Sequence, residues 1–214
     1  MGISKIIMEA LGETLYMVFV STFFAVLIGF APAIVMVLTD EKGLSPNKSI
    51  YKILDAIVNI LRSFPFIILM IVIFPFTKII VGTTIGTTAA IVPITIGAAP
   101  FVTRIIEGAL KEVDKGVIEA AKSFGASNVQ IIFKVMIIEA LPTIISGLTL
   151  TIISVVGLSA MAGAIGGGGL GDVAIKYGYY RFKTDLMLYT VVVLIILVQI
   201  FQSIGNYIYN KANQ

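Results

Sequence analysis

Cysteine and histidine are both absent from this chain. Without cysteine there is no disulfide framework and no thiolate metal site. Without histidine the commonest general base and metal ligand is missing. Charge is scarce as well: 13% of residues are Asp, Glu, Lys or Arg, where a soluble domain carries about a quarter. Hydrophobic residues fill 58% of the 214 positions and the mean hydropathy is +1.04, so the class is a membrane protein. The net charge of +3 and the lack of any basic run argue against nucleic acid as a partner. No G-x-x-x-x-G-K-S/T occurs, so the chain has no phosphate loop for ATP. Gly166-x-Gly168-x-x-Gly171 matches a dinucleotide pattern, but no strand precedes it and no βαβ unit surrounds it. With no metal cluster, nucleophile–base pair or cofactor loop, an enzyme is the least supported class, and no metal residue is assigned. No internal repeat is visible, which weighs against inverted-repeat carriers.

What is present is a series of long apolar runs, and they predict an all-α integral membrane protein with five transmembrane helices. Residues 1–13 form an amphipathic N-terminal segment, with Ile6, Ile7, Ala10 and Leu11 on one face, expected to lie at the membrane interface. Residues 14–209 hold spans at about 14–38, 53–76, 83–103, 140–163 and 186–208, and 210–214 is a cytoplasmic tail. The run from Thr14 to Thr39 is far longer than the ~7–15-residue apolar region of a signal peptide, so it reads as a mature span. The second span is interrupted by Asp55 and Arg62 and bent by Pro65 and Pro75. An intramembrane charge is costly, so Arg62 should point into the bundle or a cavity; the plainer reading is an arginine reaching out to a helix end. Arg104, Glu107, Lys111, Glu112, Asp114 and Lys115 open a central polar loop. The fourth run ends in Gly166-Gly167-Gly168-Gly169-Leu170-Gly171, which should bend the chain as it leaves the span. With the central loop inside, nine basic residues (Lys42, Lys48, Lys52, Arg104, Lys111, Lys115, Lys122, Lys134, Lys211) are cytoplasmic. Five (Lys5, Lys78, Lys176, Arg181, Lys183) are then outside, with Arg62 uncounted in its span. The positive-inside rule thus favours the N-terminus outside and the C-terminus inside.

One compact polar island stands out between the apolar runs: Glu119-Ala120-Ala121-Lys122-Ser123-Phe124-Gly125. Asp114 can cap a short helix through Glu119, and Gly125 can end it in a left-handed turn. Ser127 and Gln130 have the spacing of a capping box for the next helix. A helix this short is marginal alone and needs something to dock against. Ala120 and Ala121 leave a flat surface beside Glu119, and Phe124 adds an apolar anchor, which suits a partner's groove. The plainer alternative for Glu119 is a solvated charge on a loop helix.

Glu-Ala-Ala, then Gly125, then Val135-Met136-Ile137 resembles the signature of ATP-binding-cassette importer permeases of the type I fold. The signature's closing Leu-Pro falls on Ile137-Ile138, so its proline is missing, and Pro142 takes over the bend. The stretches Ala56–Leu69, with Arg62-Ser63-Phe64-Pro65 inside it, Pro75-Phe76-Thr77 and Ile91–Phe101 are similar to the methionine-uptake branch. Ser159-Ala160-Met161, the glycine run and Lys176-Tyr177-Gly178-Tyr179 add to that similarity. The resemblance implies that Glu119, Ala120, Ala121, Ser123, Phe124 and Gly125 form a cytoplasmic coupling helix seated on an ATPase subunit. It gives Arg62 and Pro65 a structural role in the bundle. It further implies a second copy of the chain, two ATPase subunits that carry ATP and Mg, and an extracytoplasmic binding lipoprotein, all at a bacterial plasma membrane. No cofactor is expected on this chain itself. The implied cargo is methionine, as either or both enantiomers; another small amino acid or thioether compound would use the same machinery. An ion-coupled carrier is the rival from another class, resting only on Asp55 and Arg62 near a span centre. Within the fourth span, Ser154, Gly157, Leu158, Ser159, Met161, Ala162 and Gly163 are small or weakly polar. Tight helix packing accounts for most of them. Ser159 and Met161 are the two expected to face a path at a dimer axis, with Met161 a flexible plug.

Overall fold

The computed structural model describes residues 3–213, and every regular element among them is helical. Helix α1 (Ile3–Thr39) runs unbroken for 37 residues, about 55 Å, well beyond a ~30 Å hydrocarbon core. The segment expected to lie separately at the interface is therefore, over its described residues, the first turns of α1; Met1 and Gly2 lie outside them. Nothing between Leu11 and Tyr16 breaks the helical hydrogen bonding, so the chain continues straight into the span.

The second span is two helices, not one. Helix α2 (Lys48–Ser63) and helix α3 (Phe66–Val81) meet at 107°. Phe64 sits at φ −71°, ψ 126° and Pro65 at ψ 126°, because the ring of a proline pushes the residue before it out of the helical region. Pro75, expected to bend the span as well, is accommodated inside α3. Asn47 caps α2 by accepting from the Ile50 amide at 3.2 Å.

Helix α4 (Thr87–Lys111) lies at the centre: 72% of its apolar window is buried, against 11% for the last helix. It starts later than residue 83, after Gly86, and it absorbs Arg104, Glu107 and Lys111, which the sequence places in a loop. Helix α1 crosses it where Gly29 faces Ala99 and Val102; a Cβ there would stand 2.6 Å from the Ala99 carbonyl oxygen.

Three residues after α4 comes α5 (Lys115–Ser123), then α6 (Asn128–Ile131), a π-helical stretch over Ile132–Met136, and α7 (Ile137–Glu139). Ala140 turns the chain into α8 (Leu141–Gly163), with Pro142 in its first turn, where a missing amide costs nothing. The glycine run then folds back. A Cβ on Gly171 would lie 2.2 Å from the Ala160 carbonyl oxygen, so α9 (Gly169–Val173) packs on α8 at backbone distance. A π-helical stretch (Ala174–Tyr179) and α10 (Thr184–Ala212) complete the chain. The tail expected from residue 210 is still helical to Ala212; Gln214 lies outside the described residues. Phe19 of α1 meets Phe201 of α10 edge-on at 5.8 Å between ring centres.

The bundle has two distinct ends. At one, Glu13 Oε2 accepts from the Gly169 amide at 2.6 Å, Thr14 Oγ1 from Leu170 at 2.9 Å, and Gly86 donates to the Gly166 carbonyl at 2.9 Å. At the other lie the α1–α2 loop, the end of α4 and α5, tied where Asn128 Nδ2 donates to the Leu44 carbonyl at 3.4 Å. The described N-terminal residues belong to the glycine end, and the C-terminal half of α10 packs at the α5 end, Gly205 against Thr149. The first and last described residues therefore sit at opposite ends.

Candidate functional site

Three places gather polar or exposed groups. The first is α5. Asp114 Oδ1 accepts from the amides of Gly116 (2.7 Å) and Val117 (3.4 Å), which satisfies the free donors of the helix start. At the far end, Phe124 donates to the Ala120 carbonyl, Gly125 to Lys122 and Ala126 to Ala121, with Gly125 at φ +78°. Ser127 and Gln130 form the reciprocal capping box, Ser127 donating to Gln130 Oε1 at 2.9 Å.

These caps hold a nine-residue helix in shape, and Ile118 and Ala121 fasten it by packing against the bundle core. The face left over carries Glu119, Ala120 and Ser123, then Phe124 and Gly125 in the turn. Ala121, expected to share a flat surface with Ala120, points the other way. Phe124 is 92% exposed. A phenyl ring held out at the tip of a rigid turn, away from the apolar spans, is the mark of a surface awaiting a partner. Behind it, Glu119 shares with Lys42, Lys115 and Lys122 the rim of a cleft of about 250 Å³.

The second place is the free face of α8 with the α2–α3 break beside it. Leu150, Ser154, Gly157 and Met161 recur at spacings of four, three and four and are all exposed, Met161 by 48%. Ser159 is not among them. Two residues are about 200° round a helix, so Ser159 and Met161 cannot share a face. Ser159 is 1% exposed and donates to the Val156 carbonyl at 2.8 Å, which makes it a packing residue and removes it from the expected path. Arg62 is exposed rather than buried in the bundle, and it lines a cavity of about 310 Å³ with Phe64, Phe66, Phe101, Ser154 and Leu158. Pro65 creates the break that turns Phe66 and α3 across this cavity.

The third place was not legible as a site from the sequence. Arg104 Nη1 donates to Glu107 Oε2 at 2.8 Å, while Nη2 reaches the carboxylate of Asp55 and donates to Asn59 Oδ1 at 2.9 Å. Lys111 Nζ donates to Glu107 Oε1 and pairs with Asp40 Oδ2, both at 2.7 Å, and Tyr51 donates to Glu107 at 3.0 Å. The Glu107 side chain is only 4% exposed, so its charge is sustained by two cations and a phenol. The Asp40 carboxyl, in the loop beyond α1, is held below its ordinary range by the hydrogen bond from Lys111 and then by the Lys42 amide. The signal for this cluster is the spacing Arg104–Glu107–Lys111, three and four apart, which is helical pairing rather than loop. Asp55 is thereby engaged by Arg104, and the carboxylate needed for an ion-coupled carrier is not free.

Comparison with known proteins places the whole chain. The family described as binding-protein-dependent transport system inner membrane component matches residues 25–211. A probable D-methionine transport system permease protein, MetI, of Vibrio cholerae is 53% identical over 203 residues, covering 95% of this chain and 90% of that protein. The methionine import system permease protein MetP of Bacillus subtilis is 50% identical over 173 residues, covering 81% and 78%. Among solved structures, an inward-facing conformation of the MetNI methionine ABC transporter superposes with a TM-score of 0.97 at 44% identity, covering 99% of this chain and 98% of that one. An amino acid ABC transporter at 20% identity and a TM-score of 0.81 shares the fold.

Proposed function

This chain belongs to the family of binding-protein-dependent transport system inner membrane components, and from that membership we propose that it is the permease subunit of an ATP-driven methionine importer. Two copies would enclose the path, two ATPase subunits would hold ATP and Mg, and an extracytoplasmic binding lipoprotein would deliver methionine as the D or L form or both. The names of the relatives support that cargo and those partners. No hydrolytic role falls to this chain. The α5 end would be cytoplasmic and the glycine end extracytoplasmic, a reading supported by the excess of basic residues at the α5 end.

The observation that carries the proposal is the exposed tip of α5. Glu119, Ala120, Ser123, Phe124 and Gly125 would sit in a groove of the ATPase, with Ala121 holding the helix to the bundle. ATP would draw the two ATPase subunits together and carry both coupling helices inward. The spans would then rock about the central axis between two packed states. The route from α5 into the membrane is short, because α4 ends only three residues before α5 and grips α2 through Arg104 and Asp55. Met161, flexible and exposed on α8, would close the path in one state and repack in the other.

The test is uptake of labelled methionine at low concentration in cells lacking the gene. The intact gene should restore uptake, Glu119→Lys should not, and the variant protein should still reach the membrane. Unchanged uptake on deletion, with no other methionine carrier present, would remove methionine as the cargo.

A further inference from the structure

We propose that Arg62 is a carboxylate-binding residue on the path, receiving the acid group of the transported molecule in the cavity beside the α2–α3 break. The proposal rests on the permease reading and extends it, since nothing above identifies a group in the membrane that contacts cargo.

Arg62 sits in the last turn of α2, within the broken span, where the helix's own carbonyl ends favour a cation. The carboxylates nearby are already engaged: Asp55 holds Arg104, and Arg104 holds Glu107. No carboxylate among the described residues lies within ion-pair distance of Arg62. A guanidinium inside the spanning region is stable only against protein acceptors or in a water-filled cavity, and the cavity is what the structure supplies.

Its volume, about 310 Å³, is at the lower end of small-molecule sites of about 300–1,000 Å³. The walls divide by chemistry. Arg62 and the hydroxyl of Ser154 are polar, and Phe64, Phe66, Phe101 and Leu158 are apolar. Ser154 donates its proton to the Leu150 carbonyl at 2.9 Å, which leaves its oxygen to accept. An acid group on Arg62, an ammonium near Ser154 and an unbranched apolar tail along the rings fit this arrangement. Bidentate pairing of a planar guanidinium with a carboxylate supplies the specificity. The cavity also adjoins the exposed α8 face that carries Ser154 and Met161, so a molecule held there stands next to the proposed plug.

The experiment measures equilibrium binding of labelled methionine to the permease–ATPase complex in lipid discs, without the binding protein. Competitors are 4-(methylthio)butanoate, which keeps the carboxylate, and 3-(methylthio)propylamine, which lacks it. The butanoate should displace methionine and the amine should not. Arg62→Gln should weaken binding by about ten- to a hundredfold, as expected for loss of a charged hydrogen-bonded pair. Arg62→Lys should recover part of it. Complex yield should stay at the wild-type level in both variants. Equal competition by the amine, wild-type binding by Arg62→Gln, or a parallel fall of binding and complex yield would each overturn the proposal. So would a defect seen in anionic lipid but absent in neutral lipid, which would give Arg62 to a headgroup. Wild-type uptake that is intact while Arg62→Gln binds normally removes this site alone; absent wild-type uptake removes methionine as the cargo.

Discussion

Phe124 and Ser159 show how differently two residues singled out by one chain can be used. Phe124 contributes almost nothing to the fold of its own chain, being 92% exposed. Phe124→Ser should therefore leave thermal unfolding of the isolated permease within about 0.5 kcal/mol of wild type, while capture of the ATPase subunit weakens about tenfold or more. Co-purification at graded detergent and salt checks both. Ser159 behaves in the opposite way. Enlarging it to leucine should overpack the interior of α8 and lower stability by about 1–3 kcal/mol. Met161→Ala should leave unfolding nearly unchanged and alter basal ATPase and transport of the assembled complex; if neither activity moves, Met161 is no plug. The sequence grouped Ser159 with Met161 because both stand, two residues apart, in one run of small and weakly polar residues. Helical geometry separates them by half a turn, and that separation is decided by which face of α8 the neighbouring helices cover.

At the scale of elements, α5 was legible almost atom by atom, and α2 was not. Caps are local: Asp114, Gly125, Ser127 and Gln130 satisfy backbone groups two or three residues away, so their pattern is written in the chain. The clamp on α2 joins residues about fifty positions apart. Helix α2 has a single fully buried side chain, Val58, so within one chain its hold on α4 depends on Asp55, Asn59 and Tyr51. Arg104→Gln should cost about 3–5 kcal/mol, because it strands the buried Glu107 carboxylate without one of its cations. The double variant with Asp55→Asn should cost less than the sum of the single ones, as measured by thermal unfolding. Acid supplies a second check on this cluster. Asp40 is lowered from 3.8 in the folded chain, so its contribution is complete above the unfolded value and fades as the pH falls through the lower folded value. Unfolding temperature should thus stay level from neutral pH down to about pH 4 and fall below it, with a shallower acid limb in Asp40→Asn.

For the whole molecule, the absence of cysteine makes topology directly measurable. A single cysteine at Ser45, in the loop beside α5, should react with an impermeant maleimide only after the membrane is opened. One at Phe182, 87% exposed at the glycine end, should react in intact cells. The reverse pattern would invert the orientation and withdraw the cytoplasmic role of α5. The likeness to known permeases extends along 99% of the chain at a TM-score of 0.97, so the arrangement of helices is a property of the family and not of this sequence alone. What the sequence by itself determined is everything set by composition and near neighbours: membrane class, helical content, the apolar runs, the caps of α5 and the turn at Gly125. Those depend on transfer of apolar side chains out of water and on hydrogen bonds within one or two turns. Only the tertiary structure decided that the second span breaks by 107°, that Arg104, Glu107 and Lys111 belong to a helix and grip α2, that Ser159 is internal, and that Arg62 opens on a cavity. Each of these turns on which distant surface a residue meets, and a side chain's neighbours across a bundle leave no periodic trace in the order of the chain.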